Sequence, residues 1–118
     1  MEDWELDFEW GRLRRKIKER FGKKRLPDLN AILFLIGIQE LGQIKESYSK
    51  EEKQDLMHIA VCRLLSRLGY YELEKIDDDG WPHWKLLRPI EEKGVKNQEK
   101  ILKKQAIHYF RDEIKIYN

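Results

Sequence analysis

The sequence predicts a mainly α-helical protein with one β-hairpin (α+β), ordered helix, helix, helix, hairpin, helix as a compact single domain over residues 1–118 around a buried central helix. Three observations predict it. An unbroken apolar run, Ala31 to Ile38, sits inside LNAILFLIGIQEL. Apolar residues recur at helical spacing in three further segments, and an Asp-Gly turn separates two aromatic-rich stretches.

Residues Trp4 to Trp10 alternate apolar and acidic, which alone is a strand pattern. Trp10, Leu13, Ile17 and Phe21 then repeat at helical spacing and Gly22 follows as a left-handed terminator, so one helix is expected over about residues 3–21. After a short connector, Pro27 and Asp28 open the central helix, about residues 28–41, and Gly42 closes it. Its apolar stretch leaves no face for water and has to be covered by the rest of the chain. Each fully buried Leu, Ile or Phe contributes roughly 1.5–3 kcal/mol, so this segment supplies a large share of the driving force for folding. A bilayer span needs about 20 apolar residues, more than this run provides.

Ser49 and Glu52 form a capping-box pattern ahead of Leu56, Met57, Ala60, Val61, Leu64, Leu65 and Leu68, which predicts a helix over about residues 50–68. Gly69 is its expected terminator, with Tyr70 folding back on Leu65. From Tyr70 the period changes. Tyr70–Ile76 and Trp81–Leu87 flank Asp77-Asp78-Asp79-Gly80 and predict an antiparallel hairpin over about residues 70–88, with Pro82 on an edge or at a bulge. Glu91–Asn97 reads as a linker. Ile101, Leu102, Ala106, Tyr109, Phe110 and Ile114 then predict a last helix over about residues 98–116.

Charged residues make up 39% of the chain, and the net charge of +2 conceals a polarity. Glu2, Asp3, Glu5, Asp7 and Glu9 make the first segment acidic, and nine cations between Arg12 and Arg25 follow with only Glu19 opposing them. The single cysteine, Cys62, excludes an internal disulfide, and no apolar leader precedes the acidic start, so a reducing cytoplasm is expected.

No chemistry-bearing motif emerges. Counted back from Gly80 as position six of a calcium loop, position one is Lys75 and position twelve Leu86, so the first ligand and the bidentate Glu are both missing. His58 and Cys62 stand one turn apart on the third helix, but zinc takes three or four ligands and no others are suitably spaced. Cys62 lies mid-helix, where backbone N–H groups are already used, which is a poor place for a nucleophile. Gly-rich phosphate loops are also missing. The expectation is therefore a non-enzyme with no catalytic residue, no metal, no cofactor and no small-molecule substrate, whose outside serves recognition.

Two surfaces are candidates. The first is the aromatic hairpin, with Tyr71, Trp81, His83 and Trp84 as partner-binding residues for another protein or a second copy. Strand alternation places Trp84 opposite Trp81 and His83, so one set packs on the helices and the other is partly exposed. The second is a basic ridge of Arg14, Arg15, Lys18, Lys23, Lys24 and Arg25, suited to nucleic-acid phosphates or a ribosome. A further cluster, Lys93, Lys96, Lys100, Lys103 and Lys104, merges with it if the first and last helices lie side by side. The element order resembles a winged-helix module, in topology alone. Its third helix presents only His58, Arg63, Ser66 and Arg67 to bases, and three aspartates at the wing tip would repel phosphates.

Overall fold

A computed structural model describes residues 1–91 and 93–118 and has the predicted order: α1 (Asp3–Arg20), α2 (Leu29–Leu41), α3 (Lys50–Ser66), β1 (Tyr71–Ile76), β2 (Pro82–Leu86) and α4 (Val95–His108), which runs into a π-helical turn (Tyr109–Glu113). The alternating start of the chain is helical from Asp3. Leu6, Trp10, Leu13 and Ile17 are buried, whereas Trp4 and Phe8 point outward.

Local chemistry sets the ends of the helices. Gly22, with φ +63°, lets Lys23 N donate to Lys18 O and Gly22 N to Glu19 O, the paired bonds of a Schellman terminus. Gly69 repeats this at α3, where Tyr70 N reaches Leu65 O at 3.2 Å and both side chains are buried. The capping box at the start of α3 is reciprocal: Glu52 N donates to Ser49 Oγ at 3.1 Å, and Ser49 N to Glu52 Oε1 at 3.0 Å.

The chain falls into two compact units. One joins residues 1–29 to residues 93–118. Within it α1 and α4 pack together and run in the same direction, since Asp3 meets Lys100 near both N-terminal ends and Arg12 stacks on Tyr117 beyond the other end of α4. Helix α4 starts earlier than expected, directly after Gly94 at φ +90°; of the predicted linker, Glu92 lies outside the described residues. The predicted α-helix to residue 116 is also corrected. Ile114 N bonds to Tyr109 O, five residues back, and this widened turn shifts the helical phase, so that Ile116 is buried while Ile114 is only half-buried.

The second unit, residues 30–91, holds α2, α3 and the hairpin. Helix α2 buries Ile32, Leu33, Ile36 and Gly37, while Phe34, Leu35 and Ile38 are half-buried. It crosses α3 at Gly37, where an added Cβ would stand 2.2 Å from Leu56 O, so no other residue allows this approach. Glu40 and Arg63 bridge the same two helices at 3.1 Å. Among the described residues no helix is long and apolar enough to cross a membrane.

Candidate functional site

The hairpin is built around Asp77. Its Oδ1 accepts from Asp79 N at 3.0 Å and Trp81 N at 2.9 Å, and its Oδ2 pairs with His83 Nε2 at 2.8 Å. Asp77 N donates to Trp81 O, Gly80 N donates to Asp77 O, and Gly80 takes the left-handed φ of +89° that closes the turn. These bonds hold the Asp77 carboxyl below its ordinary range, the His83 ring contributing most. The aspartate cluster is thus a turn whose leading carboxylate is already saturated. Among the described residues no group of three or more side chains is arranged to hold a metal ion.

Pairing runs Tyr71↔Leu86, Glu72↔Lys85 and Leu73↔Trp84, then Lys75↔His83 and Ile76↔Pro82, with Glu74 as the extra residue of a bulge. Paired residues share a face. One face therefore carries Tyr71, Leu73, Ile76, Pro82, Trp84 and Leu86, and the other Glu72, Lys75, His83 and Lys85. Without the bulge, alternation would send Ile76 to the charged face.

Both strands pack on α3. Tyr71 is half-buried and hydrogen-bonded to Cys62, and the Cys62 thiol, buried and 3.5 Å from His58 Nε2, is pushed up to about 11 by desolvation. Trp81 and Trp84 are half-buried, and the Trp84 indole N–H is buried without an acceptor among the described residues. His83 is exposed but tied to Asp77. The solvent-facing part of the apolar face is instead Leu73, Ile76 and Leu86, with Ile76 at 63% exposure. Strand alternation alone parts Ile76 from Leu73, and the bulge that aligns them was not legible in the sequence. At the tip, Gln43 Nε2 donates to Asp79 O at 3.1 Å; at the base, Arg88 donates to Leu68 O at 2.9 Å and stacks on Tyr70.

Comparison with known proteins found no matching family model, curated protein or solved structure. The winged-helix order gains nothing from α3 itself. Arg63 is held by Glu40, and Ser66 Oγ donates to Arg63 O at 2.6 Å.

The basic ridge divides into engaged and free cations. Arg14 Nε donates to Pro27 O at 2.6 Å and so fastens the connector to α1. Arg15, Lys18, Lys23, Lys24 and Arg25 have no carboxylate partner among the described residues. Arg15, Lys18 and Lys23, with Glu19 and Leu26, line an open depression of about 500 Å³. A second depression, about 340 Å³, lies between Arg12, Arg15, Lys16, Glu19 and Tyr117. The expected merger with the lysines of α4 fails for Lys100 and Lys103. Because the two helices run in the same direction, Lys100 meets Asp3 at 3.2 Å and Lys103 lies over the Trp10 ring, both in the acidic half of α1. Sequence reasoning did not single out Trp4 and Phe8, which are the most exposed aromatics, at 71% and 60%. Their signal was the outward half of the alternation that a helix does not need for its core.

Proposed function

We propose that the chain is a non-enzymatic interaction module that holds a protein partner on the apolar face of its hairpin. The observation that carries this reading is the bulge at Glu74, which collects six apolar side chains on one face, of which Leu73, Ile76 and Leu86 stay open to solvent while Tyr71 and Trp84 brace the strands. Partner capture from a native extract by the immobilised chain tests it. Ile76→Asp and Leu86→Asp lose the captured protein and moderate salt leaves wild-type capture intact, because an apolar contact is not screened. Equal capture by wild type and both variants overturns the reading.

The free cations of α1 and of the connector after it favour a second reading, in which Arg15, Lys18, Lys23, Lys24 and Arg25 contact nucleic-acid phosphates. Binding to RNA then weakens steeply with salt, and each of Arg15→Ala, Lys18→Ala and Lys23→Ala lowers the salt slope by about one. A slope unchanged in all three sinks it.

A further inference from the structure

Trp4 and Phe8 stand one turn apart on the side of α1 opposite its buried residues, and Gly11 and Arg15 continue the same line at i+7 and i+11. Glycine inside a helix is destabilising relative to alanine, so an interior glycine calls for a packing reason. Gly37 has one in Leu56. At Gly11 the only atom within 4 Å of an added Cβ, beyond its neighbours and its own helix backbone, is the tip of the Arg15 side chain at 3.2 Å. Nothing else in the described chain uses the space. Each flank of this line is acidic in its first half and basic in its second: Asp3 and Asp7 precede Arg14 and Lys18 on one side, and Glu5 precedes Arg12 and Lys16 on the other. Such a face is complementary to itself when turned end for end.

We propose that this face of α1 pairs antiparallel with α1 of a second copy of this chain. About an axis level with Glu9 and Trp10, Trp4 lies over the guanidinium of Arg15 in the second copy, Phe8 fills the notch at its Gly11, Asp3 and Asp7 face its Lys18 and Arg14, and Glu5 faces its Arg12 and Lys16. Each contact occurs twice. A polyanion or an anionic membrane is disfavoured at the same aromatics, because Glu2, Asp3, Glu5, Asp7 and Glu9 surround them. The overlap covers only a few helical turns, less than the roughly 1,200 Å² of a stable interface, so association is concentration-dependent.

Sedimentation equilibrium of the full chain from micromolar to millimolar concentration tests the proposal. Wild type passes from monomer to dimer, and Trp4→Ala or Phe8→Ala raises the dimer Kd about tenfold or more. Gly11→Ala weakens the dimer while raising the melting temperature of the dilute monomer. Asp3→Lys and Lys18→Glu are each monomeric alone, and an equimolar mixture restores a dimer. Asp3 also pairs with Lys100, so if Asp3→Lys fails to fold, Trp4→Ala and Gly11→Ala decide the matter. A wild type that stays monomeric throughout overturns the proposal. So does a dimer that survives Trp4→Ala and Gly11→Ala but is lost in Ile76→Asp, which moves self-association to the hairpin.

Discussion

The two glycines inside helices differ in what surrounds them, and their alanine variants are expected to differ in sign. At Gly37 the obstacle is the backbone carbonyl of Leu56, which cannot swing away, so Gly37→Ala forces α2 and α3 apart and costs about 1–3 kcal/mol or more. At Gly11 the obstacle is the end of a flexible side chain, and Gly11→Ala gains up to about 1 kcal/mol in helix propensity. Urea unfolding of both variants in dilute solution checks the pair. Cys62 shows a burial effect of another kind. Its thiol is held neutral up to about 11 against an ordinary 9.0, so the folded protein resists thiol reagents at pH 8 and reacts only as it unfolds. The folded state binds the proton more tightly, so this contribution to stability is complete below 9 and is lost as the pH rises to about 11. Asp77 has the opposite sign. Its carboxyl is depressed, so the turn is supported at neutral pH and weakens on acidification through the folded-state value; Asp77→Ala removes that acid dependence, measurable by melting at a series of pH values.

Among the elements, α1 shows how two readings of one segment were settled. Alternation from Trp4 to Trp10 fitted a strand, but the burial of Leu6, Trp10, Leu13 and Ile17 on one helical stripe outweighs it, and the unused half of the pattern became the exposed Trp4 and Phe8. Acrylamide quenching is therefore expected to reach Trp4 readily, Trp81 and Trp84 partly, and Trp10, at 7% exposure, hardly at all. The hairpin was legible from Asp-Gly and its flanking aromatics. Its bulge was not, since Glu74 differs in no local property from Glu72. Because Glu74 is the surplus residue, deleting it leaves every observed pair in place, and the shortened hairpin is expected to keep its strand signal and its apolar face. Helix ends marked by a capping box or a left-handed glycine fell within a few residues of expectation. The end of α4, which carries no glycine, did not. There Lys115, at φ +56°, takes the place glycine usually fills.

For the molecule as a whole, fold order was readable because periodicity and turn chemistry are local. The fate of the surface charges was not, because it depends on which ends of α1 and α4 meet. Cations of the two helices are separated by their shared direction, and Lys100 meets Asp3. This makes Asp3→Lys a test of the arrangement: it places like charges at one helix end and is expected to lower stability slightly, by up to about 1 kcal/mol as for other exposed pairs, with Lys100→Asp in the same chain restoring it.

The unit formed from both ends of the sequence also has a history during synthesis. Val95 follows Arg20 by 75 residues, which a ribosome adding about 5–20 residues per second makes in about 4–15 s. For that interval the greasy side of the first helix leaves the exit tunnel without its mate, and a nascent chain must be shielded until its final helix arrives.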